Sequence, residues 1–536
     1  MSDSLSYGFS SLTLALILAF SGKALALDDA LPAPDSPVQN VPEKTGKRAG
    51  QDTRRGNDSG TAASGASDTN SGKDSTRKDD AQENHAATDR HTLPYDAPDE
   101  VGVAGNPAID VLFGSGLLGR TLGFDEESGI HLGGLWVGNA DVMLTGGLPI
   151  NPHTSQLDPV GGKSPNKGTF NSLFILGGNI DLGKYSPLKG GSLGAAFLQY
   201  NGQASNANAG ALPGYNGING QAPYNRSELY ELWYKQTLLD DRLTFRLGKS
   251  VPTFEFNNVL RSLVIAGEKP FIPSISGLLY SPVFINPTLL GVMPGYYNSA
   301  WGLSTTVTPM QNTSVAYGVY DGSNANQTQT GLHAGPIFNN GIFNIGEVGQ
   351  QWGGDLPGRL AVGGWGQTGT VSTPIIGGPT SKGAMGTYAL ATNRLAHVIR
   401  QDGEGSVIGY MQYGINNSRI MPVNQYAGGG ISGFGLIPHR PKDSIGLGVA
   451  VSWLNTPTVG SISSPPHPTR INTSNMQFMS QFYYQAHVIG DVYFTPAFTY
   501  IPNPGQPVSY NLGEGSSYNS AYPSSTSLIF QLTTLF

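Results

Sequence analysis

From Ser444 to Trp453 the chain reads Ser-Ile-Gly-Leu-Gly-Val-Ala-Val-Ser-Trp, with Ile445, Leu447, Val449, Val451 and Trp453 at one parity and Ser444, Gly446, Gly448, Ala450 and Ser452 at the other. A period of two is that of a β-strand, so the segment predicts a strand with one apolar face and one face of small and polar residues. The same pattern recurs. Phe478, Ser480, Phe482 and Tyr484 alternate with Gln477, Gln481 and Gln485, and after Gly490-Asp491 the residues Val492, Phe494, Phe498 and Tyr500 continue it. Leu303 to Val307 and Ser314 to Tyr320 flank Pro309-Met-Gln-Asn312 and predict a hairpin. At the end, Leu528, Phe530, Leu532, Thr534 and Phe536 share a face, while Ser527, Gln531 and Thr533 interrupt the other.

No run beyond the N-terminus approaches the ~20 apolar residues that a membrane-crossing helix needs. Only helices and closed barrels satisfy every backbone group inside lipid, so apolar-out, polar-in strands point to a transmembrane antiparallel β-barrel. The last strand would close the sheet against the first, with Phe536 in the aromatic girdle. The expected fold is all-β. Residues 101–536, shared among about 16 strands, give about 27 residues per strand and connection, which suits spans of ~9–11 residues joined by long outer loops. The insertions Ala204 to Tyr224, Thr370 to Lys382 and Gly460 to Thr473 are rich in Gly, Pro, Asn and Ser and read as those loops.

Composition sharpens this picture. The chain has 74 glycines, about twice the usual share, which implies many turns and kinks. Of the 67 charged residues, 21 lie between Val41 and Glu100, so the body of the chain is charge-poor. Residues 1–26 read as a signal peptide, with the short apolar run Leu12 to Phe20, Lys23 and a small-x-small site at Ala24-Leu25-Ala26, although Met1 to Ser11 carries no Lys or Arg. Residues 27–100 hold Tyr95 as their single aromatic and cannot bury enough surface to offset ordering entropy, so a disordered tether is expected there. The net charge of -7 argues against a nucleic-acid partner. There is no cysteine, and the nine histidines show no metal-ligand spacing, so neither thiolate chemistry nor a cofactor or metal is expected.

Charged residues concentrate between Glu228 and Lys249, where two strands meet at Asp240-Asp241. With Tyr230, Leu232 and Tyr234, then Leu243, Phe245 and Leu247, set toward lipid, the residues Glu231, Trp233, Lys235 and Arg246 point into the lumen, joined by Glu255. Carboxylates and guanidinium groups bond to hydroxyls that donate and accept, and an aromatic ring packs on the C–H face of a sugar. Such a set suits a monosaccharide, and it equally suits cross-strand ion pairs in a wetted wall. Tyr230 and Tyr234 read as interface anchors.

The stretch ELWYKQTLLDDRLTFRLGK, Glu231 to Lys249, resembles the central signature of the carbohydrate-selective porin (OprB) family. Further similarities run in order at Gly119-Arg120, Gly129-Ile130, Ala316 to Gly322, Pro441 to Gly448 and Phe494 to Gly505, covering roughly 106–536. The resemblance implies a sixteen-stranded barrel in the bacterial outer membrane that passes monosaccharides such as glucose by diffusion. It carries Glu231, Arg246 and Glu255 as pore-lining residues, and leaves a homo-oligomer open. Departures are Thr534-Leu535 where the family has an acidic residue before the terminal aromatic, and the glutamines of Met476 to Gln485 in place of carboxylates. Fewer fixed charges there suggest a wider range of polyols and sugar acids. A barrel acting as surface adhesin or receptor is the second reading, and an outer-membrane hydrolase the third.

Overall fold

The computed structural model describes residues 115–124, 126–147, 168–219, 225–259, 283–295, 298–310, 312–326, 335–354, 356–372, 380–400, 403–455, 471–472, 476–505, 508–509 and 523–536. The expected signal peptide and tether lie outside them. A short helix, α1 (Leu117–Thr121), precedes β1 (Ile130–Thr145). The strands that follow are β2 (Gly168–Asp181), β3 (Gly191–Asn201), β4 (Asn225–Leu238), β5 (Leu243–Ser250), β6 (Ala300–Met310), β7 (Thr313–Asp321), β8 (Ile342–Trp352) and β9 (Gly358–Ser372). They continue with β10 (Thr380–Arg400), β11 (Gly403–Asn416), β12 (Val423–Phe434), β13 (Ser444–Leu454), β14 (Ile471–Asn472), β15 (Met476–Ile489), β16 (Val492–Ile501), β17 (Val508–Ser509) and β18 (Ser525–Leu535). β14 and β17 pair with each other, and the remaining 16 strands form one closed barrel in which every neighbour is antiparallel.

Closure falls between β1 and β18, in register from Leu135 opposite Leu535 to Val142 opposite Leu528. Phe536 extends the seam by exchanging backbone hydrogen bonds with Gly134 at 2.8 and 3.0 Å, and its ring stacks on Phe174 at 5.7 Å. A closed sheet has no edge, so no ladder donor or acceptor on these strands faces lipid.

The two ends differ. One carries tight connections: residues 239–242 with Leu239, Asp240 and Asp241 at φ 59°, 53° and 63°, the β6–β7 turn with Asn312 at φ 72°, and Gly490-Asp491 with Gly490 at φ 53°. The other carries the long connections from β3 to β4 and from β5 to β6, described at residues 202–219 and at 251–259, 283–295 and 298–299. Short turns mark the periplasmic end of such barrels and long loops the outer end.

Side chains alternate as the pattern requires. On β13, Leu447 and Val449 are exposed on the outer surface while Ser444, Gly446, Gly448, Ala450 and Ser452 face inward. On β18, Phe530 and Leu532 face outward and Ser527, Gln531 and Thr533 inward. No helix among the described residues is long and apolar enough to cross a membrane, and here the crossing belongs to strands.

One interruption matters for function. The β3–β4 ladder pairs Ala196 with Glu231 and Phe197 with Leu229, leaving Tyr230 as an extra residue on β4. This β-bulge reverses the alternation. Glu228 and Tyr230 on one side of it, and Glu231, Trp233 and Lys235 on the other, are all buried inside, while Leu232 is exposed outside. Tyr230 is therefore not the interface anchor that strict alternation predicts. Its burial is complete.

Candidate functional site

Two connections from the outer end fold back into the lumen. The β3–β4 loop, expected to lie outside, begins with helix α2 (Ser205–Asn208) and runs along the inner wall. Gln477 on β15 accepts from Leu212 N at 2.8 Å and donates to the Pro213 carbonyl at 2.8 Å. The Tyr215 hydroxyl donates to Asp141 Oδ2 at 2.7 Å, Asn216 Nδ2 donates to the same oxygen at 3.0 Å and to Asn139 Oδ1 at 2.8 Å, and Ser527 Oγ donates to the Tyr215 hydroxyl at 3.0 Å. Burial, with the Asp141 carboxylate second, pushes the Tyr215 phenol well above its ordinary range, so it stays a donor. The glutamines of β15 thus hold a loop. Gln477 and Gln481 are buried beneath it, with Gln481 Nε2 donating to the Tyr215 carbonyl at 3.3 Å, so their position does not support the wider solute range read from the sequence.

The β5–β6 connection covers the opposite arc. Its first part, Val251 to Val259, contains a 3-10 turn at Pro252–Phe254 and reaches β8 and β9. The Asn257 amide donates to Glu347 Oε2 at 2.9 Å, and Arg359 Nη1 donates to the Asn258 carbonyl at 3.5 Å. Glu347 also pairs with Arg359 and accepts from the Tyr388 hydroxyl at 2.8 Å. All three side chains are buried. The later part docks on β11 to β13: Gln412 donates to the Val283 carbonyl at 3.2 Å, Asn416 to the Thr288 carbonyl at 2.8 Å, and Phe284 stacks on Tyr410 at 5.0 Å.

The five residues singled out in the sequence lie where this segment leaves the wall, on β4, β5 and the turn beyond β5. Arg246 Nη1 pairs with Glu255 Oε1 at 2.9 Å, and the Arg246 guanidinium lies over the Trp233 ring at 4.6 Å from its centroid. Trp233 Nε1 donates to Glu231 Oε2 at 3.1 Å, and Glu231 Oε1 accepts from the Val251 amide at 3.2 Å. Glu231 therefore orients the indole and caps the start of the lumenal segment, and the indole carries the guanidinium. Lys235 sits opposite Arg246 in the ladder, both facing inward. Glu231, Trp233, Lys235 and Arg246 are all buried, whereas Glu255 keeps 16% of its side chain exposed. Glu255, held by its ion pair with Arg246, forms the open edge of the cluster. Nearby, the Lys249 ammonium takes up the Leu229 carbonyl beside the bulge.

The Glu347, Arg359 and Tyr388 group and the Asp141, Tyr215 and Asn216 group were not singled out in the sequence. The inward positions of β8 that precede Glu347 are Phe343 and Ile345, both buried, while Asn344 and Gln350 stand on the other face, so polarity does not separate the two faces and alternation carries no signal there. Among the described residues no group of three or more His, Asp and Glu side chains could hold a metal ion.

A closed sixteen-stranded antiparallel barrel narrowed by inward-folded loops defines a channel-forming outer-membrane protein of the porin class. A family model described as "Carbohydrate-selective porin, OprB family" matches residues 173–521, and the chain belongs to that family. Its place is the bacterial outer membrane, and the family and fold are those of a non-enzymatic channel. The high-pH structure of OprB from Pseudomonas putida is similar, with 17% identity, a TM-score of 0.58, and coverage of 76% of this chain and 95% of that one. The outer-membrane channel DcaP of Acinetobacter baumannii is 8% identical with a TM-score of 0.41, over 76% of this chain and 97% of that one. No curated protein matches the chain.

Proposed function

We propose that the chain is a passive channel for small neutral sugars, glucose and related polyols among them, with Arg246 and Glu255 as the groups that touch the solute. The observation that carries this reading is their ion pair, whose Glu255 half is the exposed edge of an otherwise buried cluster. A guanidinium supplies only donors and a carboxylate only acceptors, so together they match hydroxyls that do both. Because the two charges cancel locally, a neutral polyol gains hydrogen bonds there while an ion gains little net attraction. Trp233 serves as the platform beneath the guanidinium, since Arg246 lies over its ring. Lys235 and Glu231 act behind the contact, setting its charge and orientation. Lipid around the apolar belt and a homo-oligomer are the expected surroundings.

Block of single-channel current by glucose tests the reading. Arg246→Ala should weaken the block in a channel that still opens; an unchanged block would remove the residue from the site.

A further inference from the structure

We propose that Gly194 is a positioning residue for the sugar contact: having no Cβ, it seats the Trp233 indole across β3 and so sets where the Arg246 guanidinium stands. This rests on the reading of Arg246 and Glu255 as the groups that touch the solute.

Gly194 on β3 lies directly opposite Trp233 on β4. Side chains of directly opposed residues start only about 4.5–5.5 Å apart, so a ring as large as an indole reaches across its partner most closely when that partner is glycine. Here it does: a Cβ on Gly194 would stand 2.3 Å from Cζ2 and 2.6 Å from Cε2 and Cη2 of Trp233. These nearest atoms all belong to the indole and none to the backbone, so a methyl group there displaces the ring and leaves the β3–β4 ladder in place.

The ring is committed on its other sides. Its Nε1 donates to Glu231 Oε2 at 3.1 Å, Glu231 Oε1 also accepts from the Val251 amide at 3.2 Å, and the Arg246 guanidinium lies 4.6 Å from the ring centroid. A methyl group on Gly194 points inward and pushes the indole toward the lumen. The guanidinium that rides on the indole shifts with it, out of its 2.9 Å pairing with Glu255.

The wall repeats this arrangement away from the sugar contact. Gly446 on β13 lies opposite Tyr483 on β15, with its Cβ position 2.4 Å from that ring, and the Tyr483 hydroxyl donates to Ser432 Oγ at 2.9 Å. Gly446→Ala therefore applies the same crowding to a ring distant from β4 and β5 in the strand order.

The test uses the full mature chain in planar bilayers, with folding checked by heat-modifiable migration. Gly194→Ala should raise the half-blocking glucose concentration several-fold, while Gly446→Ala keeps the wild-type value. Because Gly194 acts through the outer ring of the indole, Gly194→Ala combined with Trp233→Phe should be blocked at the same concentration as Trp233→Phe alone. The proposal is overturned by equal block in wild type and Gly194→Ala, by an equal rise in Gly446→Ala, or by a Gly194→Ala effect that persists in full beside Trp233→Phe. Should Gly194→Ala fail to fold, the double variant decides: recovery of folding with the block of Trp233→Phe supports the proposal, and a second failure overturns it, because the methyl group then meets something other than the indole. A wild-type channel that glucose does not block refutes the sugar contact itself and this proposal with it, a result read before any substitution is made.

Discussion

Glu347→Ala removes the acceptor shared by Arg359, Tyr388 and the Asn257 amide, and leaves a guanidinium that is 0% exposed without its carboxylate. Breaking one side of a buried pair costs about 3–5 kcal/mol, because the remaining charge stays desolvated. Two further hydrogen bonds to the same carboxylate push the cost toward the upper end, since bonds to charged groups contribute about 1.5–3 kcal/mol each and are not additive. The folding equilibrium should therefore fall by about two to three and a half orders of magnitude. Replacing both partners, Glu347→Leu with Arg359→Met, removes the stranded charge, so that variant should recover most of the loss. Tryptophan fluorescence during urea unfolding and refolding in lipid vesicles reads both. If the double replacement were as unstable as Glu347→Ala, the pair would not be energetically coupled, and the view that it pins the lumenal segment would fail.

Other outcomes are accessible with simpler assays. Trp233→Ala withdraws the ring beneath Arg246, a contact worth about 0.5–2 kcal/mol, and should weaken glucose block in those channels that fold; equal block in planar bilayers would contradict the platform role. Tyr215 should ionise well above the ordinary tyrosine range, so its contribution to loop stability is complete below about pH 10 and lost as the pH climbs toward its folded value. The difference in alkaline absorbance titration between wild type and Tyr215→Phe checks this, and a phenol titrating near pH 10 would refute it. Deleting Phe536 removes two backbone bonds to Gly134 and the stack on Phe174, so the midpoint of heat modifiability should drop; an unchanged midpoint would mean that β1 and β18 close without it.

The barrel was legible because lipid imposes one rule on its outer face: Leu447, Val449, Phe530 and Leu532 must be apolar, and a period of two reveals them. The same rule brought Glu231, Trp233, Lys235 and Arg246 inward together. It failed in two places for identifiable reasons. A single extra residue, Tyr230, shifts β4 by half a period, and nothing in its side chain announces a bulge. Loops that fold into the lumen turn parts of the inner wall into a packed interior, where Phe343, Ile345 and Tyr410 are buried like core residues and Gln477 bonds a backbone rather than water. A glycine-, proline- and asparagine-rich connection looks the same in sequence whether it extends outward or returns. Its destination is set by partners such as Asp141 and Asn139, which lie far from it along the chain.

The central claim is that this barrel conducts and that sugars occupy its constriction. Purified mature protein in a planar bilayer, recorded while glucose, xylose and gluconate are added in turn, should show discrete openings that neutral sugars reduce at millimolar concentration. A correctly folded barrel that never opens would contradict the account and leave a surface receptor or adhesin as the better reading.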